Sequence, residues 1–207
     1  LAEREKIILL SPCSESAEIS RAGDYIFRTY SPNGRQGITM ANYLYSRIKA
    51  RRVAILSRID DYGISLSRAF TQEFTRLGGA VVSHEEYRPD ENDFRSYLTK
   101  MHSLRPDVIY MATYIADGVA AVKQTRAMRI DIPLAAGSNF NSPDVVKPLG
   151  KLGDGIIFAD LHDSTTQEYR SRYQSTYHLP WPGMASCASV AYDDVMLLAE
   201  GMRKTDG

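Results

Sequence analysis

The chain has 207 residues, 43% of them hydrophobic, which is enough for one large domain or two small ones. Its 25 lysine and arginine residues balance 25 aspartate and glutamate residues, and this neutrality argues against a nucleic-acid-binding surface. No run approaches the ~20 apolar residues that a membrane span needs. Cys13 and Cys187 are the two cysteines; they allow one disulfide at most and show no metal-type spacing.

Two apolar runs and a helical pattern come first along the chain. Residues 7–10 read as a buried strand, a loop of small polar residues follows at 11–16, and residues 25–28 form a second extended run. Apolar residues at helical spacing then predict a helix over residues 35–49. Its predicted inner face consists of Ile38, Ala41, Leu44, Tyr45 and Ile48.

A strand–loop–helix pattern over residues 51–77 is the best-defined stretch. The β-branched run at 53–56 is apolar on both faces, which is typical of a strand inside a parallel sheet. A polar loop follows, and then Leu66, Phe70 and Phe74 recur at helical spacing. Ligands of such sheets sit beyond the carboxyl ends of the strands, so the loop at 60–63 is where a site is expected.

Strands and helices alternate from about residue 36 to residue 159. Further strands are predicted at 80–83, 107–111, 132–136 and 155–159, with helices at 94–104, from 117 to about 128, and at 143–149. Asp90 or Asn92 is a candidate cap for the first of these helices, and Pro133 marks an edge strand or a strand start. The alternation predicts an α/β fold, a doubly wound parallel sheet with helices on both faces. After residue 162 we expect a polar helix at 166–177, a breaker at 179–183 and a final helix at 185–202.

Several short motifs occur in an order that is specific as a series. They are Leu10–Pro12, Tyr25–Thr29, Arg52–Ile55, Asp61–Gly63, Asp93–Phe94, Asp107–Tyr110 and Gly137–Ser138. Together they resemble the type I periplasmic solute-binding proteins of the branched-chain amino-acid class, which serve ABC transporters.

The resemblance implies two Rossmann-like lobes that close on a small solute, which a membrane permease then receives. It divides the chain into a lobe-one fragment with a crossover (1–30), a complete lobe two (31–160), and a return crossover with lobe-one helices (161–207). Hinge motion is expected near residues 28–31 and 159–163. A periplasmic or extracellular location is also implied. The charged first residues show no export signal and the chain starts without Met, so we interpret it as a processed protein or an internal fragment.

The resemblance also transfers ligand-binding positions. Cys13, Ser14 and Glu15 match a lobe-one loop, and Tyr62 and Tyr114 match residues that cover the ligand from lobe two. Asn139 falls where the family commonly has an acid for the ligand's ammonium group. A charge-assisted hydrogen bond is about twice as strong as a neutral one, so this amide puts a standard α-amino-acid ligand in question.

Each of these positions has a plainer interpretation. Tyr62 and Tyr114 are alternatively surface tyrosines, Asn139 a turn residue, Ser14 a helix cap and Glu15 a solvated charge. Cys13 and Cys187 are either two separate buried thiols or a disulfide. The pair Asp60–Asp61 resembles the magnesium-binding carboxylates of phospho-acceptor domains, but the strand at 107–111 is followed by Ala112 and Thr113, not the aspartate that such domains need.

The leading functional prediction is binding without catalysis, with no cofactor and no metal. The four histidines show no ligand spacing, and neither a Gly-x-Ser-x-Gly elbow nor a glycine-rich phosphate loop occurs. A ligand-sensing domain of a receptor or regulator with the same fold is the alternative. A doubly wound enzyme, such as a nucleotide-using transferase, is a third class that lacks a convergent catalytic set.

Overall fold

The computed structural model describes residues 1–160, 165–181 and 185–205. The chain divides into a central unit, Asn33–Asp160, and a terminal unit, Leu1–Pro32 with Leu161–Gly207. The helices are α1 (Ala2–Glu5), α2 (Gly34–Tyr43), α3 (Asp61–Arg76), α4 (Arg95–Ser103), α5 (Ile115–Ala127), α6 (Pro143–Leu149), α7 (Gln167–Tyr177) and α8 (Ala185–Thr205). The strands are β1 (Leu9–Ser11), β2 (Ile26–Arg28), β3 (Arg52–Arg58), β4 (Ala80–Tyr87), β5 (Val108–Ala112), β6 (Leu134–Ala136) and β7 (Ile157–Phe158).

The central unit is built on five parallel strands in the spatial order β4-β3-β5-β6-β7. Successive side chains of β3 alternate between two apolar clusters, with Val53 and Ile55 in one and Ala54 and Leu56 in the other. All four are fully buried. A strand buried on both faces needs helices on both sides of the sheet, and the predicted doubly wound parallel sheet is confirmed.

The helices divide between the two faces of this sheet. Phe70 and Phe74 of α3 pack in the cluster of Val53 and Ile55, whereas Val122 of α5 packs in the other cluster. The chain therefore leaves β3 toward one face and leaves the neighbouring strand β5 toward the opposite face. This divergence is the topological switch point at which open α/β sheets bind ligands.

The start of α3 is fixed by its N-cap. Asp60 has an extended backbone, and its Oδ1 accepts a hydrogen bond from the Gly63 N–H at 2.9 Å. Asp61 adds a negative charge to the first turn, where the helix dipole favours it. The loop that begins the helix is therefore rigidly attached to the end of β3.

The predicted inner face of the first long helix was partly wrong. Ala41 and Leu44 are buried, but Ile38 and Ile48 are 44% and 38% exposed. A π turn over Leu44–Ile48 follows α2 and changes the direction in which the last residues point. Near the start of α2 the buried face instead includes Gln36 and Gly37.

The start of α4 differs from the sequence prediction. Neither Asp90 nor Asn92 caps α4; its N-cap position is held by Phe94, which is fully buried and packs edge-on against Tyr87 with ring centroids 4.9 Å apart. Tertiary packing therefore decides where this helix begins.

Pro133 precedes β6, which pairs with β5 and β7, so the proline marks a strand start.

The terminal unit contains the parallel pair β1–β2, a 3-10 turn at Ala17–Arg21, and the helices α1, α7 and α8. The prediction of a buried strand at 7–10 was right about the presence of a strand but wrong about its start and its burial: β1 starts at Leu9, and Ile7 and Leu9 are 60% and 51% exposed. In the described part of the chain β1 pairs with β2 alone, so nothing encloses it as the central strands are enclosed. The predicted crossover at 159–163 and breaker at 179–183 lie partly outside the described residues.

A disulfide joins the two sequence segments of the terminal unit. Cys13 and Cys187 are bonded, with their Cα atoms 5.5 Å apart across a sequence separation of 174 residues. Of the alternatives open from the sequence, the disulfide is the one observed. Among the helices that the structure describes, none combines the length and the apolar character required to cross a membrane.

Candidate functional site

Three predicted site residues meet at the carboxyl edge of the central sheet. Tyr62 lies in the first turn of α3, Tyr114 is the N-cap residue of α5, and Asn139 lies in the 3-10 turn Ser138–Asn141 after β6. The rings of Tyr62 and Tyr114 have centroids 5.1 Å apart at an interplanar angle of 49°. Asn139 Nδ2 donates to the Thr113 carbonyl oxygen at 3.2 Å, which ties its loop to that of Tyr114.

Tyr62 is enclosed by its surroundings, whereas Tyr114 presents more of its ring. Tyr62 is 9% exposed and Tyr114 is 40% exposed. A Cβ atom at position 137 would overlap the Tyr62 hydroxyl, so glycine is needed there for the tyrosine to reach the loop after β6. The carbonyl oxygen of Tyr62 accepts a hydrogen bond from Asn33 Nδ2 at 3.3 Å. These contacts fix Tyr62 as the inner wall of the site.

The start of α2 supports the same loops from a distant part of the sequence. Gln36 Oε1 accepts a hydrogen bond from the Ser138 N–H at 3.0 Å, and both residues are buried. Gln36 was not predicted as part of the site, because a glutamine in an amphipathic helix shows no sign of a partner 102 residues away.

A charged network also missed by the sequence analysis lies beside Tyr114. The guanidinium of Arg58 bridges Asp60 (Nε–Oδ2 2.8 Å) and Asp117 (Nη1–Oδ2 3.0 Å), and its central carbon lies 4.6 Å from the centroid of the Tyr114 ring. Burial lowers the pKa of Arg58, but the hydrogen bond to Asp117 and the charges of Asp117 and Asp60 outweigh it, so the net pKa is raised. Tyr87 donates to Asp117 Oδ2 at 3.1 Å, and burial followed by the charge of Asp117 raises the tyrosine pKa.

This arrangement is suited to holding a small molecule. Two aromatic rings, an amide side chain and loop backbone groups converge, while the charges of Arg58, Asp60 and Asp117 are engaged with one another. Asp60 caps α3 and forms an ion pair with Arg58, and both of these contacts are structural. Within residues 1–160, 165–181 and 185–205, no cluster of three or more His, Cys, Asp or Glu is arranged to hold a metal ion.

The other three predicted positions belong to the terminal unit. Cys13 offers a disulfide sulfur rather than a free thiol. Ser14 and Glu15 are half-buried in the following loop. Ser16, rather than Ser14, caps the next turn, because its Oγ accepts a hydrogen bond from the Glu18 N–H at 3.4 Å. A ligand role for Cys13, Ser14 and Glu15 stays a prediction.

Comparison with known proteins gives consistent matches. A sequence model described as periplasmic binding protein matches residues 1–207. "Leu/Ile/Val-binding protein homolog 3" of Brucella melitensis biotype 1 is 24% identical over 160 residues, which is 77% of this chain and 44% of that protein. The chain therefore spans less than half the length of this relative.

Solved structures share the fold. A leucine-binding protein of Thermotoga maritima superposes with a TM-score of 0.84 at 23% identity, covering 98% of this chain and 59% of that one. A solute-binding protein of an ABC transporter from R. palustris, solved in complex with benzoate, gives a TM-score of 0.78 at 22% identity, covering 92% and 55%.

Proposed function

The chain belongs to the periplasmic binding protein family, whose model matches all 207 residues, and on that premise we propose that it binds a small polar solute for delivery to an ABC transporter permease. The solute is an amino acid or an amino-acid-like compound. Capture is non-covalent, and the protein performs no chemistry on its ligand.

One observation carries this proposal. Tyr62, Tyr114 and Asn139 come from three separate segments, yet they meet at the switch point of the sheet. Binding sites of this kind combine aromatic walls with a few placed polar groups. The neighbouring charges of Arg58, Asp60 and Asp117 are paired with one another, with one carboxylate charge in excess, and the contacts that Tyr62, Tyr114 and Asn139 offer to a solute are ring faces and hydrogen bonds.

Calorimetric titration of the complete protein tests the proposal. We use L-leucine, L-isoleucine, L-asparagine and benzoate as probes, and we expect at least one to bind with a resolvable dissociation constant. Replacing Tyr114 by alanine should weaken that binding roughly tenfold, because an aromatic contact of about 1.4 kcal/mol is lost. Tyr43→Ala is the matched control, since Tyr43 is 44% exposed in the same unit.

Two results would contradict the proposal. One is the absence of heat and of thermal stabilisation with every probe. The other is equal weakening of binding by the Tyr114 and Tyr43 variants, which would place the solute elsewhere on the central unit.

The disulfide supports a periplasmic or extracellular location. Disulfides persist in oxidising compartments such as the bacterial periplasm and are rare in the cytosol. The Cys13–Cys187 bond is therefore expected to be formed in protein isolated from its native compartment. Loss of solute uptake in cells that lack the gene, with recovery on complementation, tests the transport role against a sensing role.

A further inference from the structure

Arg58 is the last residue of β3, just before the short loop that leads to Tyr62 in the first turn of α3. Its side chain is 23% exposed, and its two carboxylate partners, Asp60 and Asp117, are 25% and 9% exposed. A guanidinium is a rigid plane, so a hydrogen bond from Nη1 to Asp117 together with the ion pair between Nε and Asp60 limits the orientations that the plane can take.

The partners of Arg58 are themselves held in place. Asp117 lies in the first turn of α5, and its Oδ2 accepts from both Arg58 and the Tyr87 hydroxyl. Tyr87 ends β4 and is 1% exposed. The network therefore joins the end of β4, the end of β3 and the start of α5.

The fixed guanidinium faces the ring of Tyr114. Its central carbon lies 4.6 Å from the ring centroid, well inside the distance at which a cation is attracted to an aromatic face. The same ring contacts Tyr62, with centroids 5.1 Å apart. Tyr114 follows β5 with an extended backbone and is 40% exposed. Because the ring is not fully enclosed, its orientation is set by its contacts with neighbouring side chains.

We propose that Arg58 is a positioning residue of the solute site: held between Asp60 and Asp117, it orients the Tyr114 ring against Tyr62 so that both rings are ready to receive the solute. This inference rests on the proposed function. Arg58 itself makes no direct contact with the solute. It affects the solute affinity because it sets the orientation of the Tyr114 ring.

A double-mutant cycle measured as solute affinity tests the inference. The variants are Arg58→Met, Tyr114→Ala and the two combined, titrated with whichever of L-leucine, L-isoleucine, L-asparagine and benzoate binds the unsubstituted protein most tightly. We expect Arg58→Met to weaken binding about tenfold when Tyr114 is present and less than about twofold in the Tyr114→Ala background.

A general structural role for Arg58 would weaken binding by the same factor in both backgrounds. Arg58→Lys is the conservative variant, and the cycle is repeated with it, so that a fold defect in Arg58→Met does not decide the outcome. Lysine keeps the cation but cannot span both carboxylates, so we expect it to restore part of the affinity.

Arg76→Met is the matched control. Arg76 also forms a two-point pair with a carboxylate, Glu73, at 2.8 Å for each contact, but it lies in the last turn of α3. Its removal should leave solute affinity unchanged.

The outcomes separate the two ideas. If the unsubstituted protein binds none of the probes, the proposed function is wrong and this inference is wrong with it. If a probe binds but Arg58→Met and Arg58→Lys each lose the same factor with and without Tyr114, the inference alone is overturned.

Discussion

The apolar run within β3 of the central unit and the apolar run that leads into β1 of the terminal unit look alike in sequence but differ in their environment. Residues 53–56 and residues 7–10 are both short runs of aliphatic side chains. The first run is fully buried between two helical layers, whereas Ile7, Ile8 and Leu9 are each more than half exposed. Burial of a parallel strand depends on its neighbours in space. A local apolar run therefore predicts that a strand is present more securely than it predicts that the strand is buried.

The two units also differ in what holds them together. The central unit has a continuous apolar core on each face of its sheet. Among the described residues of the terminal unit, Tyr30 and Asp194 are the buried ones, and a covalent bond links its two segments. We therefore expect core substitutions to matter most in the central unit and the disulfide to matter most in the terminal unit.

The largest effect should come from Phe70→Ala. Phe70 is fully buried and stacks on Tyr110 and Phe74, with ring centroids 4.3 and 5.3 Å away. Removing such a ring leaves a cavity, and we expect a loss of about 3–5 kcal/mol in the free energy of unfolding. Leu197→Ala in α8, where Leu197 is 58% exposed, should change it by less than about 0.5 kcal/mol. Urea denaturation followed by circular dichroism measures both, and similar losses would contradict the contrast between the units.

Replacing both cysteines with serine should destabilise the terminal unit next most strongly. The disulfide limits the freedom of two segments that are distant in sequence, and its loss typically costs about 2–5 kcal/mol. Hydrogen exchange should show faster exchange in α8 and unchanged protection in β3 and β5. Reduction of the unsubstituted protein should reproduce the pattern, and uniform loosening of both units would count against it.

A smaller effect is expected from the close approach of α2 and α3. A Cβ atom at Gly37 would lie 2.6 Å from the Leu66 carbonyl oxygen, so Gly37→Ala must push the helices apart. We expect a loss of about 1–3 kcal/mol, the usual range for overpacking. Gly34→Ala is the control, because its Cβ would meet Ala69 Cβ at an ordinary 3.6 Å. Equal melting temperatures for the two variants would show that the helices can shift without cost.

The smallest effect concerns Glu73 of α3, which accepts a hydrogen bond from Asn42 of α2 and pairs with Arg76 in its own helix. Hydrogen bonds from Arg76 and then Asn42 lower the pKa of Glu73 from its ordinary 4.5 to about 2. The stability that this carboxylate contributes is therefore complete above pH 4.5 and is lost as the pH falls through about 2. Glu73→Gln should be less stable than the unsubstituted protein at pH 6 and equal to it below pH 2. A stability difference that is constant with pH would contradict this assignment.

The order of elements and part of the candidate site were predictable from the sequence. Period and composition identified the buried strands of the central unit, and the family resemblance supplied Tyr62, Tyr114 and Asn139. They lie close together because parallel strands share a carboxyl edge. The Arg58–Asp117 and Gln36–Ser138 contacts were not predictable, because the partners lie 59 and 102 residues apart and no local pattern encodes them. The inner face of α2 was misassigned at Ile38 because a close approach at Gly37 and the bond of Gln36 set its rotation.

The Cys13–Cys187 bond makes a covalent ring of everything between its two ends. A protease that cuts once anywhere within that ring opens it without releasing a fragment. The nicked protein should therefore run as one band on a denaturing gel without reductant and split into two bands only when a thiol is added. New termini could for the same reason be opened in the central unit's exposed loops while the original ends stay held together.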